Sequence, residues 1–314
     1  MKAMRVAAFG APPVLAQLVE PQRRPGRTIV RMEAATVGHI DRTVWGGHFL
    51  KHPPFPYTPG VEAAGVVVAS ARHAVGQRVW LRGCGLGTLF DGTWCELIDA
   101  PDEALGLLPD AVPATLGAAF FSPCTSAWVA LHDIARLRAG ERVLVTGATG
   151  AVGSLAVQLA LAAGAQVIAV VGHAAQALAL PPAAQVRVLG DDPSEALASV
   201  SAHLLVDTVG GPVLAAALAR VEPGGRAVLV GYTAGNGLAL DLAHFLQRDV
   251  ALLPLNMFRR DAAGRAAAPQ LLARLADGTL RLDVQPFALE DAAAALDWIA
   301  QRGHRGRAVL VAGP

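Results

Sequence analysis

The run Val145-Thr146-Gly147-Ala148-Thr149-Gly150-Ala151-Val152-Gly153 constrains this chain more than any other segment. It follows an apolar, β-branched stretch, Arg142–Thr146, and opens an apolar stretch of helical character, Ala151–Ala163. The spacing Gly147-x-x-Gly150-x-x-Gly153 differs by one residue from G-x-G-x-x-G, and the physics is the same. Gly147 permits a tight turn, Gly150 lets the backbone approach a pyrophosphate, and Gly153 lets the helix pack close to the strand. The helix start then offers unpaired N–H groups and the positive end of its dipole. Ser154 has no lysine before it, so the Gly-Lys-Ser/Thr of an ATP-binding loop is absent. The bland alternative is a glycine-rich turn in an unrelated α/β protein.

The pattern downstream favours the dinucleotide reading. Strands fit Arg142–Thr146, Gln166–Val171, Leu204–Thr208, Ala227–Val230 and Val250–Leu255; helices fit Ala151–Ala163, Pro212–Val221 and Leu240–Leu246. Such alternation predicts a parallel sheet with helices on both faces. The first 110 residues differ. Short β-like runs (Arg27–Glu33, Gly60–Ala69, Gln77–Leu81, Thr93–Ile98) are separated by Pro and Gly, which predicts a small antiparallel barrel or sandwich. Helical character also marks Thr115–Ala118, Ala127–Leu137, Ala268–Ala276 and Asp291–Arg302, and a last strand is predicted at Arg307–Val311. At roughly 100–200 residues per domain, 314 residues suggest two domains.

Composition removes several classes. With 53% hydrophobic and 16% charged residues the chain is not a disordered one. The net charge is +1 without a basic block, so nucleic acid is not expected as a partner. Cys84, Cys95 and Cys124 are too few for a disulfide framework and are expected as small buried or half-buried residues in a reducing, cytoplasmic setting. Residues 1–10 lack the apolar core of a signal peptide. Residues 151–172 are uncharged and long enough for a bilayer, but Gly164 and Gln166 split them into a helix and a β-branched strand. No membrane span is expected.

Cofactor choice is read at the end of the second strand of the alternating region. There, Val170-Val171-Gly172-His173 carries no carboxylate to hold ribose hydroxyls or repel a 2′-phosphate. NADPH is favoured, with NADH possible. His173 and Arg187 are the nearby cationic candidates.

Further motifs run the length of the chain: MKAMRVAAFGAPPVL at the start, VGHID at 37–41, PFPYTPGVEAAGVV at 54–67, DGTWCELIDAP at 91–101, TSAWVAL at 125–131, VDTVGG at 206–211, GGRAVLVGYTAG at 224–235 and RGRAVL at 305–310. With GATGAVG at 147–153 they resemble, in order, the medium-chain dehydrogenase/reductase superfamily and its zinc-independent, zeta-crystallin-like quinone oxidoreductase branch. The resemblance implies an α/β fold: a GroES-like β-barrel domain over 1–122, completed by 258–314, and a Rossmann doubly wound parallel-sheet domain over 123–257. It also implies a homodimer, paired through the apolar strand Val250–Leu255. In zinc-containing members three ligand positions fall on Gly38, Val61 and Ser122 here; glycine and valine offer no side-chain ligand, so no metal is expected. The branch commonly has Asn where Gly38 stands and Tyr near Thr43 and Phe49. The active-site polar set therefore departs from the familiar one.

Without a metal to polarise the acceptor, hydride transfer favours electrophiles such as quinones and α,β-unsaturated carbonyls. The protein must align the acceptor, donate a hydrogen bond where charge develops, and supply a proton. His39, Asp41, Thr43 and Tyr57 are the catalytic candidates, with Asp41 read foremost as a helix cap. Trp45, His48 and Phe49 are candidates for the substrate wall. Thr125, Gly147, Ala148, Thr149, Gly150, Ala151, Val152, Gly153, Gly172, His173, Gly231, Tyr232 and Asn256 are candidates for the cofactor. Two alternatives stand beside this reading: an enoyl-thioester reductase, and a catalytically silent nucleotide-binding protein.

Overall fold

The computed structural model describes residues 1–301, 303 and 305–313. The chain divides into two compact units, Met1–Phe121 with Leu272–Pro314, and Ser122–Leu271. The C-terminal return thus comes at Leu272, within the helix Asp261–Ala276, where the sequence reading drew it at 258.

The second unit holds a six-stranded, wholly parallel sheet. Across the sheet its strands run Gln185–Val188, Gln166–Val171, Arg142–Val145, Ala202–Asp207, Val221–Leu229 and Ala251–Pro254. The chain winds outward from Arg142–Val145 in one direction, then returns to its other side with Ala202–Asp207. That reversal is the switch point beside which open α/β sheets bind ligands. Val143, Leu144, Val145, Leu204, Leu205 and Val206 are fully buried, as central strands covered on both faces require. The uncharged stretch 151–172 resolves into helix Ala151–Ala162, a turn with Gly164 at φ +79°, and strand Gln166–Val171. Among the described residues no helix is long and apolar enough to cross a membrane.

The first unit is built on a seven-stranded, largely antiparallel sheet. Arg27–Val37 is its spine, paired with Glu62–Ala69 and Leu97–Pro101, and with Arg307–Val311 from the far end of the chain. Arg78–Arg82 and Leu105–Leu107 extend one side, and Val284–Ala288 the other. Trp94 is fully buried, and its indole N–H donates to Thr36 O at 2.8 Å.

Local differences from the sequence reading have physical reasons. The strand expected at Thr93–Ile98 starts only at Leu97, because the Thr93 and Trp94 N–H groups bond instead to Gly60 O and Pro59 O. The helix expected over Ala127–Leu137 is an α-helix, Phe121–Trp128, continued by a wider π-type turn, Val129–Ile134, whose Ala135 N–H reaches back to Ala130 O. The short strand Gln185–Val188 escaped the sequence reading: Q-V-R-V does alternate, but four residues are too short a run to give more than a weak signal. Helix Asp261–Ala276 is longer than the predicted Ala268–Ala276. The helix predicted over Asp291–Arg302 spans Ala292–Ala300, and Arg302 lies outside the described residues. Cys95 and Cys124 are buried, but Cys84 is exposed in a tight Gly83–Gly85 turn at φ +53°.

Candidate functional site

In the second unit the glycine loop follows the buried strand Arg142–Val145 directly. Gly147 adopts φ +60°, and a Cβ there would fall 2.5 Å from Thr208 Oγ1. A Cβ on Gly153 would fall 2.1 Å from Gly147 O, so only glycine lets the helix seat against the turn. Gly150 is exposed at φ −69°, and a Cβ on it would meet only Gly147 O, at 3.3 Å. Space is therefore open in front of Gly150, where the helix begins. No side chain caps that helix, and Ser154 N–H to Gly150 O is the bond that starts its ladder. The N–H groups of Ala151, Val152 and Gly153 precede any intrahelical acceptor. Ala148 is buried, with its N–H on Val170 O, while Thr149 is half-buried.

Three residues that the sequence reading did not single out, Thr146, Asp207 and Thr208, brace this loop. Thr146 Oγ1 donates to Asp207 Oδ1 at 2.6 Å, and Gly210 N–H donates to Asp207 Oδ2 at 2.8 Å. Thr208 closes the buckle: its N–H donates to Thr146 Oγ1 and its hydroxyl to Thr146 O. Burial pushes the Asp207 carboxyl up, against these hydrogen bonds, which favour the charged form. The polar residues inside two otherwise apolar strand ends, V-T-G and V-D-T, were the available signal.

The remaining cofactor candidates sit as follows. Gly172 and His173 are exposed at the end of strand Gln166–Val171, and both of their N–H groups donate to Gln176 Oε1, at 2.9 and 3.2 Å. Arg187 lies on the adjoining strand opposite Val170, with its guanidinium on Val186 O. Gly231 passes close under Thr208, since a Cβ there would fall 2.3 Å from Thr208 O. Tyr232 is exposed. Asn256 Oδ1 accepts from the N–H groups of Phe258 and Arg259 and so shapes a turn. Thr125 is fully buried, with Gly264 packed over it.

In the first unit the helix His39–Trp45 carries most of the catalytic candidates. Asp41, its third residue, accepts the Gly38 N–H at 2.8 Å through Oδ2. It acts as a cap, though from inside the helix and not ahead of it. Its other oxygen, Oδ1, is buried without a protein partner, as is the Tyr57 hydroxyl. Burial pushes the Asp41 carboxyl up to about 7, despite the Gly38 N–H and the nearby Arg307 and Arg82, which pull it down. Burial, reinforced by the Asp41 charge, pushes Tyr57 up to about 12. Tyr57 packs with Val6 and Val44, flanked by Trp45, Phe49 and Phe55.

The other candidates of this unit do not join that buried pair. His39 and His48 are exposed. Thr43 donates its hydroxyl back to His39 O at 2.8 Å, and Trp45 Nε1 donates to Ala11 O at 2.6 Å. Phe49 is half-buried. Among the described residues no three His, Cys, Asp or Glu side chains are grouped so as to hold a metal ion.

Sequence reading also missed the ion cluster beside Asp41. Glu62 is 1% exposed; Arg307 Nη2 donates to its Oε2 at 2.5 Å, and Arg82 Nε lies 3.3 Å from its Oε1. Glu62 and Arg307 each fell inside a quoted motif, but 245 residues separate them along the chain and nothing in one sequence pairs them.

Two family models match the chain: the alcohol dehydrogenase GroES-like domain over residues 24–110 and the zinc-binding dehydrogenase over 151–277. The quinone oxidoreductase of Sus scrofa is 33% identical over 175 residues, 55% of this chain and 53% of that protein. The chain thus matches about half the length of that relative. The acrylyl-CoA reductase AcuI of Ruegeria pomeroyi is 29% identical over 85% of this chain and 84% of its own. The quinone oxidoreductase from Thermus thermophilus, whose structure is described together with its NADPH complex, is 29% identical, covers 99% of this chain and 100% of its own, and superposes with a TM-score of 0.81. The chain belongs to the medium-chain dehydrogenase/reductase superfamily, on its quinone oxidoreductase branch. Its fold is accordingly a GroES-like domain with a Rossmann-type, parallel-sheet nucleotide-binding domain.

Proposed function

We propose that this chain is a zinc-free, NADPH-dependent oxidoreductase that reduces a quinone or an α,β-unsaturated carbonyl. The observation that carries the reading is the glycine cradle at the sheet's switch point. Gly147 and Gly153 exclude any Cβ, and Gly150 faces open space at an uncapped helix start. That surface fits a dinucleotide pyrophosphate. A reduced nicotinamide nucleotide supplies hydride when bound.

The chain's own groups do the rest. The N–H groups opening helix Ala151–Ala162 hold the pyrophosphate. Exposed Gly172 and His173 present no carboxylate to a 2′-phosphate, which favours NADPH, and only modestly, because Gln176 adds no charge. An exposed ion pair contributes about 0–1 kcal/mol, at most several-fold in affinity. Gly38 and Val61 offer no side-chain ligand at two metal positions, which supports zinc independence. An acceptor that is already electrophilic needs no Lewis acid. Of the proton-donor candidates, buried Asp41 and Tyr57 have unpartnered polar atoms, whereas Thr43 is engaged with His39 O. The similarity to an acrylyl-CoA reductase over most of the chain favours an enoyl thioester as the second acceptor class.

We further propose a cytoplasmic homodimer joined at Ala251–Pro254, the sheet-edge strand, whose Leu252 and Leu253 are only half-buried. The deciding experiment follows NADPH and NADH oxidation against quinones, enones and enoyl-CoA thioesters. Acceptor-dependent oxidation of NADPH is expected; tight NADPH binding with no acceptor reduced would overturn the reading.

A further inference from the structure

A cavity of about 130 Å³ lies inside the second unit, between helix Gly211–Leu218 and helix Leu242–Arg248. No residue of the glycine loop lines it, so it is separate from the dinucleotide cradle. Leu218, Leu238, Leu240, Phe245 and Val250 give it a largely apolar wall. An apolar cavity of about 150 Å³ takes a benzene-sized guest.

Helix Leu242–Arg248 faces this cavity the wrong way round for a surface helix, which normally turns its leucines inward and its charges outward. Asp241 at the N-cap, His244, Phe245 and Arg248 follow the i, i+3, i+4, i+7 spacing of one helical face, and all four line the cavity. Leu242 and Leu246 do not line it and are 66% and 74% exposed. Arg248 is half-buried, and among the described ion pairs it has no carboxylate partner. One of its N–H groups donates to Val221 O, and a guanidinium has others to give. A cation drawn partly out of water costs free energy that an anion beside it offsets. Asp241 does not serve as that anion. Its Oδ1 accepts the His244 N–H at 3.0 Å, and two helical turns, about 10 Å, lie between it and Arg248.

We infer that this cavity is a second binding site, for a small monocarboxylate with a benzene-sized apolar body. The carboxylate pairs with the Arg248 guanidinium through charge-assisted hydrogen bonds, and the body lies against Leu218, Phe245 and Val250. Asp241, at the other end of the same helical face, repels a second negative charge. The site therefore selects a ligand with one carboxylate and an uncharged far end. It stands apart from the reductase reading, since it needs neither a nucleotide nor an acceptor.

The probe is benzoate, with benzamide and terephthalate beside it, titrated into the full chain and followed by calorimetry and amide-resolved NMR. Benzoate is expected to bind and to shift the amide signals of residues 215–219 and 238–250. Benzamide, which has the same ring without the charge, should bind at least about tenfold more weakly. Terephthalate, with a carboxylate at each end, should bind no better than benzamide. R248M should lose the preference for benzoate over benzamide, and R248K should keep it. R248M also gives up the bond to Val221 O, so a second variant guards against loss of the fold. A215F grows a ring from an exposed, cavity-lining position, leaves Arg248 in place, and should weaken benzoate about tenfold or more. No binding at millimolar benzoate, equal affinity for benzoate and benzamide, or signals shifted only elsewhere in the chain overturns the inference. Parental benzoate affinity in A215F overturns it too. If A215F instead breaks a homodimer of the parent and benzoate does not bind, a second copy of the chain fills the cavity, which also overturns it.

Discussion

Thr146 and Asp207 join the C-terminal ends of two neighbouring parallel strands through a 2.6 Å hydrogen bond, in a position that is fully buried for both side chains. The bond sets the direction in which the chain leaves the sheet to form the glycine loop. D207N retains one acceptor oxygen where the native carboxylate serves two donors, and it turns an amide toward an N–H or O–H that needs an acceptor. A buried donor left unsatisfied costs about 1–3 kcal/mol. We expect a lower Tm together with weaker dinucleotide binding by calorimetry. T146V, which removes one hydroxyl, should show the same two effects. Unchanged nucleotide affinity in both variants would disprove the bracing role.

The glycines of the loop should separate by what a Cβ meets. G153A drives a methyl to 2.1 Å from Gly147 O, so it should lower Tm and abolish nucleotide binding. G150A meets only one oxygen, at 3.3 Å, and should fold with nearly parental stability yet bind nucleotide at least about tenfold more weakly, because the methyl projects where the backbone must approach phosphate. Equal affinity in G150A and the parent would place the pyrophosphate elsewhere.

Asp41 gives a pH dependence of stability with a definite sign. Its carboxyl is raised from 3.8 to about 7 on folding, chiefly by burial. Below about pH 4 it is protonated in both the folded and unfolded chains and costs nothing. Between about 4 and 7 the unfolded chain releases the proton and the folded one keeps it, so stability falls as pH rises; above 7 the loss is constant. D41N cannot ionise and can still accept the Gly38 N–H. Its stability relative to the parent should climb across that window, by up to about 4 kcal/mol, and then level off. Chemical denaturation at pH 4, 5.5, 7 and 8.5 checks this, and a flat difference refutes it.

Cofactor preference should be reversible at one exposed position. Gly172 has an ordinary backbone conformation, and a Cβ there meets only Gln176 Oε1, at 3.5 Å, so G172D folds without strain. Its carboxylate repels a 2′-phosphate and accepts from ribose hydroxyls. The parent should show a several-fold higher kcat/KM with NADPH, and G172D should prefer NADH. A parent preferring NADH tenfold, or a variant still preferring NADPH, would mean that the phosphate lies away from this strand end.

The edge strand Ala251–Pro254 should be the seam of a homodimer. Light scattering at micromolar concentration should give twice the 32.3 kDa chain mass. L253K introduces a charge into a half-buried seam position and should shift the population toward monomer. A parent that stays monomeric at these concentrations refutes the pairing.

The parts of the fold that the sequence shows most clearly are those with local chemistry. Strand Arg142–Val145, the glycines after it and helix Ala151–Ala162 follow from apolar runs, a positive φ and close packing, all within twenty or so residues. The Gln185–Val188 strand is different: its alternation runs for only four residues, and pairing with the neighbouring Gln166–Val171 strand is what fixes it. The same distinction divides the candidate site. Asp41 is visible as a cap because Gly38 is three residues away. Its lasting charge environment comes from Glu62, Arg82 and Arg307, brought in by three separate strands, and side chains that meet only through tertiary structure leave no pattern in one sequence. Trp45 follows the same rule: its indole N–H donates to Ala11 O, a partner 34 residues away that no local pattern announces.

Strand Arg307–Val311 pairs with Arg27–Val37 at the centre of the first unit's sheet, and Arg307 reaches Glu62 across 245 residues of chain. A ribosome working from the N-terminus therefore releases the second unit's entire parallel sheet before the first unit can acquire its last central strand. Until then the spine Arg27–Val37 has an open flank, and buried Glu62 lacks its Arg307 partner. Nascent chains should accordingly gain protease resistance in the order second unit, then first, and a chaperone that shields open strand edges would find its binding site in the unit whose first strands were made before the other unit.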